Sequence, residues 1–244
     1  MRLFVATLAL FALAPSMALA ADAADRPPLR ARLVTCATGP AAADRYAVFT
    51  GSMPAIPGAV RMEMRFDLLQ RHSGTLGYAR VPLPKWGQWE HTERRGIAGF
   101  IFTKRVEQLA APAVYRAVVR FRWFDAAGHQ VRSQKRVSGL CSQQDPRPDL
   151  EVGALTGAPD GTYLVEIVND GLTDADPFSM TLGVGAGVVT AQVPAIPAGR
   201  RQTVGIAAAR CAAGDIVRVA LDTADDVEEA DELDDAAARS CPFK

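Results

Sequence analysis

VRMEMRFDLL, residues 60–69, alternates apolar and charged side chains along most of its length. The two alternating sets are Met62, Met64, Phe66 and Leu68 against Arg61, Glu63, Arg65 and Asp67. A period of two residues with one apolar face is typical of a β-strand that buries one side and exposes the other. The stretch therefore predicts a half-buried strand that packs on a second layer.

A second stretch, YRAVVRFRWF at residues 115–124, has the same period, and Asp125–Gly128 after it is typical of a hairpin turn into a strand over 129–137. No segment predicts a long amphipathic helix. Gly and Pro separate the further predicted strands, which cover residues 30–36, 46–53, 97–106, 149–155, 161–168, 178–184, 188–193, 201–208 and 215–221. Many short strands between turns favour an all-β protein built from sandwiches.

The first twenty residues are typical of a cleaved secretory signal. Arg2 provides a basic start, Leu3–Leu13 an apolar run, and Ala18-Leu19-Ala20 a small-residue cleavage site. We expect a signal peptide over residues 1–20, export to the periplasm or the exterior, and no membrane span in the mature chain.

The four cysteines of an exported chain predict two disulfides, because thiols oxidise in that compartment. Three pairings are open to four cysteines, and pairing within each half of the chain favours Cys36–Cys141 and Cys211–Cys241. Zinc is disfavoured, since no CxxC spacing occurs and no histidine lies near a cysteine.

Charge divides the chain into two blocks. Residues 26–145 carry 19 Lys and Arg against 8 Asp and Glu, a net charge of +11, and residues 146–244 carry 7 against 17, a net charge of −10. Pro146 and Pro148 stiffen a polar linker at this boundary. We therefore expect two domains, at residues 26–145 and 147–244.

The second block resembles CARDB, the cell-adhesion-related domain found in bacteria. The segments that carry the resemblance are Pro148-Asp149-Leu150, Val168-Asn169-Asp170-Gly171, Ile196-Pro197-Ala198-Gly199, Cys211-Ala212-Ala213-Gly214 and Asp222…Val227…Glu229…Glu232…Asp234-Asp235. The family usually ends in paired asparagines where this chain has Asp234-Asp235. The first block resembles the domain that precedes CARDB in other exported bacterial proteins. The resemblance implies an immunoglobulin-like sandwich and a role in adhesion, so the expected fold is all-β, with two immunoglobulin-like β-sandwich domains in tandem.

The acidic stretch LDTADDVEEADELDD, residues 221–235, does not match an EF-hand calcium loop. An EF-hand loop that starts at Asp222 needs acids at its third and fifth positions and glycine at its sixth. In this chain those positions hold Ala224, Asp226 and Val227, in that order. Leu233 stands where the bidentate glutamate belongs. We expect a structural or solvated turn and no metal or cofactor, with a weak, irregular calcium site as the alternative.

No catalytic pattern accompanies the three histidines, His72, His91 and His129, so we expect no enzyme activity and no catalytic residues.

The glycines of Gly183–Gly187 lack nucleotide-loop spacing and favour a hairpin. Asn169, the chain's one asparagine, is expected in a turn, where its side chain bonds nearby backbone.

Two groups of residues are candidate ligand contacts. Trp86 and Trp89 could form a stacking platform or cover a sandwich edge. Arg116, Arg120 and Arg122 could attract an anionic partner, or could form the solvent side of a strand that faces the acidic second block.

The function expected from these patterns is that of an exported, non-catalytic binding or adhesion protein of the bacterial cell envelope or exterior. Its expected partner is a protein or polysaccharide of the envelope, and a nucleic acid is not expected. The alternative is a structural spacer in an exported assembly, with no ligand of its own.

Overall fold

The structure is a computed structural model that describes residues 26–92 and 96–243. The predicted signal peptide lies outside these residues. The secondary structure of the described chain consists of strands and a three-residue 3-10 helix at Ala42–Asp44. The predicted all-β fold is confirmed. None of the helices in this part of the chain has the length and apolar character needed to cross a bilayer.

Two antiparallel sheets form the first block. One has the order β1–β2–β6, and the other has the order β4–β3–β7–β8, with β5 also paired to β3 and β9 to β7. The strands are β1 (Arg30–Ala37), β2 (Tyr46–Pro54), β3 (Arg61–His72), β4 (Ala79–Arg80), β5 (Trp89–His91), β6 (Gly99–Glu107), β7 (Ala113–Phe124), β8 (Gln130–Val137) and β9 (Cys141–Gln143).

The pairing of β3 with β7 organises this block. It is antiparallel and continuous over twelve residues, from Arg61 opposite Phe124 to His72 opposite Ala113. Because side chains alternate across the sheet, one face of both strands enters the core, where Phe66 and Phe121 are fully buried. Trp123 is also buried, and its indole Nε1 donates to the Pro54 carbonyl at 2.8 Å, which satisfies its polar atom. The predicted alternation of both stretches is confirmed.

A disulfide joins the two sheets of the first block. Cys36 lies in β1 and Cys141 in β9, and their sulfur atoms are bonded, with the Cα atoms 5.4 Å apart. The second bridge, between Cys211 and Cys241, is also formed. Both predicted pairings are confirmed.

Two further antiparallel sheets form the second block. Their orders are β10–β11–β14 and β13–β12–β15–β16. The strands are β10 (Leu150–Gly157), β11 (Tyr163–Asn169), β12 (Phe178–Val184), β13 (Gly187–Val193), β14 (Arg200–Ile206), β15 (Ile216–Ala220) and β16 (Ala236–Ser240). The glycine-rich segment is a hairpin, as predicted, and Gly185 adopts a φ of +58° in its two-residue turn. The block has its own hydrophobic core, which includes Tyr163 and Phe178, separate from that of the first block.

Asn169 holds three segments of the second block together from a fully buried position. Its Oδ1 accepts hydrogen bonds from the backbone N–H groups of Asp149 at 3.2 Å and Gly171 at 3.0 Å. Its Nδ2 donates to the carbonyls of Thr173 and Ile196, each at 2.9 Å. The side chain bonds nearby backbone, as expected, and it also connects the start of β10 to the residues before β14.

Replacing Asn169 with alanine should lower the free energy of unfolding by about 3 kcal/mol, because four backbone groups lose their partner in a buried site. Urea unfolding of the variant measures the change. The control is Asp170→Ala at the neighbouring exposed position, which should change stability by less than about 0.5 kcal/mol. Equal effects of the two substitutions would contradict the role of Asn169.

Removing each disulfide separately should destabilise the protein unequally. Paired Cys→Ala substitutions at 36 and 141 open a loop with a sequence separation of 105 residues, against 30 for Cys211 and Cys241. Loop-closure entropy gives losses of about 5 and about 3.5 kcal/mol respectively. Denaturant midpoints of the two variants under identical conditions test this order, and a larger loss for the shorter loop would contradict it.

Candidate functional site

The outer face of the sheet formed by β3, β7 and β8 carries a concentration of positive charge. We name it the basic face, and its members are Arg65, Arg80, Arg116, Arg120, Arg122 and Lys135. The alternation that buries the apolar residues of β3 and β7 places their arginines on this opposite side. Three members form one row across the sheet, since Arg65 pairs with Arg120, and Arg120 with Lys135.

A buried carboxylate anchors three of these arginines. Asp67 is 3% exposed, and its Oδ1 lies 3.0 Å from Nη2 of Arg65 and 3.1 Å from Nη2 of Arg80. Its Oδ2 pairs with Arg120. One negative charge therefore meets three positive ones, and about half of the Arg80 and Arg120 side chains remain exposed. The cluster keeps a net charge of +2 that is open to solvent.

The turn residue Gly87 makes room for this cluster. Its φ is +72°, a conformation that glycine adopts without strain, and a Cβ at this position would clash with the Arg80 guanidinium. The close approach of Arg80 to Asp67 thus depends on the absence of a side chain at residue 87.

Two aromatic rings support other arginines of the basic face. The Arg122 guanidinium lies 3.8 Å from the ring centre of Trp89, and that of Arg116 lies 3.7 Å from the ring centre of Tyr78. A cation over an aromatic face is attracted by the ring quadrupole, so each ring holds its arginine in a defined direction. Trp89, Arg116, Arg120 and Arg122 are thus brought together on one surface, as candidate contacts of the same partner.

A shallow groove of about 560 Å³ crosses the basic face beside Trp89. The side chains that border it are charged, aromatic or uncharged polar. The residues that border it are Trp89, Arg120, Phe121, Arg122, Gln130, Ser133, Gln134 and Lys135. Phe121 and Gln134 pair with each other, and their side chains point to the opposite face of the sheet. The groove therefore combines guanidinium and ammonium donors with an amide, a hydroxyl and an aromatic ring.

Trp86 does not belong to this surface. It packs against the core, in edge-on contact with Phe49 and Phe66, with ring centres 6.2 Å apart in each case. Trp86 therefore covers the sandwich edge, which was one of the two predicted roles, and the tryptophans do not form a joint platform.

The three histidines lie on different segments of the first block. His72 ends β3, His91 ends β5, and His129 precedes β8, and all three are exposed. His129 accompanies the hairpin turn, where its backbone N–H donates to Asp125 Oδ1 at 2.8 Å.

Among the charged residues of this site, Asp67, Arg65, Arg80 and Lys135 were not singled out from the sequence. The alternation of residues 60–69 already places Arg65 and Asp67 on one face, and that signal could have identified them. Arg80 lies on the two-residue strand β4, which has no periodic pattern to detect.

Exposed apolar side chains of the first block do not mark a competing surface. The large ones are spread over β1, β6, β8 and two loops, and they comprise Val34, Leu76, Ile101, Val131, Val137 and Leu140. Isolated exposed apolar residues are normal on soluble proteins. The basic face is thus the more concentrated surface feature of the block.

Comparison with known proteins identifies no family for this chain. No family model and no curated protein matches it. A transglutaminase from red sea bream is 12% identical over 88% of this chain, with a TM-score of 0.34, and the chain spans 31% of that protein's length.

Two further solved structures are similar at the same level. A chaperone–tip adhesin complex of CFA/I fimbriae biogenesis is 11% identical over 86% of this chain and 98% of that one, with a TM-score of 0.26. The FN1–FN3 domains of chicken CNTN1 are 12% identical over 88% of this chain and 69% of that one, with a TM-score of 0.24. Likeness at these values carries no inference about activity or partners.

Replacing Asp67 with asparagine should destabilise the protein by about 2 kcal/mol, because three arginines lose their buried counter-charge while solvent screens part of their repulsion. The control is Glu107→Gln, which breaks an exposed pair with Arg105 at 2.8 Å and should cost less than about 0.5 kcal/mol. Thermal unfolding of both variants measures the difference. An unchanged midpoint for Asp67→Asn would show that the carboxylate does not hold the basic face together.

Proposed function

We propose that this protein is an exported, non-catalytic binding protein whose basic face binds an acidic polysaccharide of the bacterial cell envelope. The observation that carries the proposal is the row Arg65, Arg120 and Lys135, which crosses three strands with Asp67 as its nearby counter-charge. Two disulfides are typical of an oxidising compartment outside the cytoplasm, and they support export.

Arginine suits this role because its planar guanidinium donates two parallel hydrogen bonds to a carboxylate or sulfate. Arg120 is about half exposed despite its bond to Asp67, so it retains donors that face outward. Lys135 lies beside it on β8 and is exposed. Together they present adjacent positive charges to a chain that carries repeated negative ones.

The uncharged part of the groove favours a sugar among anionic partners. Gln130 and Ser133 offer an amide and a hydroxyl group that can exchange hydrogen bonds with sugar hydroxyls. Trp89 borders the same groove and offers apolar ring surface next to these polar groups.

We infer that the second block is a CARDB-like domain. The support is that segments of the resemblance contact one another at one end of the sandwich. Asn169 bonds Asp149 and the Ile196 carbonyl, and the Leu150 N–H donates to Glu229 at 2.6 Å. Segments that are distant in sequence are thus joined by hydrogen bonds. These bonds are a structural reason for the segments to occur together in one domain.

The alternative function is a spacer in an exported assembly. It requires no ligand, and the basic face would then be a solvated surface or would attract the acidic second block. In the described residues the ion pairs of basic-face arginines are made to Asp67 of the same sheet. This internal pairing favours the binding role.

Binding of the chain without residues 1–20 to alginate, a polyuronate, tests the proposal. We expect association that weakens as salt rises, because the charges on the basic face are screened. The double variant Arg120→Gln/Lys135→Gln should weaken binding by about tenfold or more. Calorimetric titration measures both effects.

The matched control is Arg30→Gln, which removes an exposed charge on β1 in the other sheet and should change affinity by less than about twofold. Dextran, a neutral polysaccharide, should not bind, and polyglutamate separates polysaccharide binding from general attraction to acidic polymers. Equal binding to alginate and polyglutamate, or equal loss in the control, would refute the polysaccharide assignment. No binding to either polymer would support the spacer alternative.

A further inference from the structure

The acidic segment 222–235 is an ordered loop rather than a solvated tail. It lies between β15 and β16, and Leu221 bonds across its base, donating its N–H to the Asp235 carbonyl at 2.8 Å. The Asp222 carboxylate accepts the N–H groups of Asp226 at 2.9 Å and Val227 at 2.8 Å. Asp222 and Asp225 have φ values of +37° and +58°. Local hydrogen bonds thus give the loop an irregular but defined path.

That path brings three carboxylates to one place. Glu229, Glu232 and Asp235 each contribute an oxygen atom, and these three atoms all lie within 4.8 Å of one another. The backbone N–H of Glu229 donates to Glu232 Oε1 at 3.0 Å, which helps to hold the second member. When all three are ionised, their negative charges at this separation repel one another, so the ionised state needs compensation.

The compensation available from the described residues is incomplete. Glu229 is 1% exposed, and its Oε2 accepts the Leu150 N–H at 2.6 Å. Its Oε1 is buried, and no described residue donates a hydrogen bond to it. The same holds for Oδ1 of Asp235. A buried carboxylate oxygen without a donor is unusual, because its desolvation costs free energy that nothing offsets.

Two of these carboxylates have raised pKa values, as expected for acids that are buried close to other acids. Burial, with smaller contributions from the charges of Asp235, Glu232 and Asp222, raises the pKa of Glu229 to about 8. Burial and the charges of Glu232, Asp234, Asp222 and Asp149 raise the pKa of Asp235 to about 6. A cation in contact with these oxygens would favour their ionised forms.

We propose that Glu229, Glu232 and Asp235 form a calcium site in the second block. It lies in the other block from the basic face and does not depend on the polysaccharide proposal.

Calcium fits this oxygen set better than other common cations. Hard carboxylate oxygens prefer calcium or magnesium, and calcium accepts six to eight ligands in irregular geometry at about 2.4 Å. Two oxygens bound to one calcium can therefore be at most about 4.8 Å apart, a limit that the cluster meets. Magnesium requires shorter bonds in a near-ideal octahedron, which an irregular loop suits less well. Glu232 is exposed, so an ion can reach the buried oxygens from solvent.

The sequence predicts a turn without metal over residues 222–235, because no EF-hand motif is present. In the structure, hydrogen bonds to other parts of the backbone bring the three acids together. Glu229 is fixed by the start of β10, Asp235 by the end of β15, and Glu232 by the backbone of Glu229.

The test uses the purified full-length protein with both disulfides formed, after treatment with chelator. Adding about 5 mM calcium chloride should raise the midpoint of thermal unfolding of the second block by about 4 °C or more, and the same magnesium concentration by less than half of that. Equilibrium dialysis should show one calcium ion bound per chain. Chelator should reverse the rise.

Two conservative variants identify the ligands. Glu229→Gln and Glu232→Gln each keep an oxygen that can accept the Leu150 or Glu229 N–H, so their folds should persist in chelator, and each should weaken calcium binding by about tenfold or more. The matched control is Asp226→Asn, an exposed acid in the same loop, which should leave calcium binding within about twofold.

The proposal is overturned if calcium changes neither the melting midpoint nor the dialysis result. It is also overturned if the control and the two variants lose calcium binding equally, since that would indicate general attraction to an acidic loop. A magnesium effect as large as that of calcium would overturn the assignment to calcium.

Discussion

The antiparallel pairing of β3 with β7 is the constraint on which the first block depends. It continues over twelve residue pairs, and side chains alternate strictly between the two faces of a sheet. Phe66 and Phe121 can therefore lie in the core only if Arg65 and Arg120 lie outside. A shift of the pairing by one residue would exchange these sets and place arginines in the core. The core and the arginines of the basic face on β3 and β7 are two consequences of one register.

Each block contains a cluster of charged side chains, and the charges of the two clusters are balanced differently. In the first, one buried carboxylate, Asp67, meets three arginines, and the surplus is positive and reaches solvent. In the second, Glu229, Glu232 and Asp235 converge, and within residues 26–92 and 96–243 no cationic side chain is bonded to them. Arginine supplies the compensation inside the first block, whereas the proposed calcium ion would supply it in the second. These two clusters have the same signs as the net charges of their blocks, +11 and −10.

Strands and hairpins with a repeating sequence pattern could be predicted from the sequence. Contacts that depend on the three-dimensional course of the backbone could not. The alternation of residues 60–69 and 115–124 identified β3 and β7, and the Gly-rich segment identified the β12–β13 hairpin. The strands β4, β5 and β9 span two or three residues, too few to show a period, so the approach of Arg80 to Asp67 was not predictable. Trp86 and Trp89 are neighbours in sequence, yet only Trp89 lies in a strand, and the turn before it directs Trp86 into the core. The three clustered acids likewise meet because of bonds to β10 and β15, which spacing along the chain does not encode.

The two disulfides determine how the protein would respond to mechanical tension. A pull on the chain that flanks the first block passes from Cys36 directly to Cys141, because the covalent bridge is stiffer than any hydrogen-bonded ladder. The segment between them, about 350 Å when extended, is then shielded from the force. The bridge from Cys211 to Cys241 shields the acidic loop in the same way. Stretching would be confined mainly to residues 142–210, so β10 to β14 would act as the extensible part and the basic face would stay folded under strain.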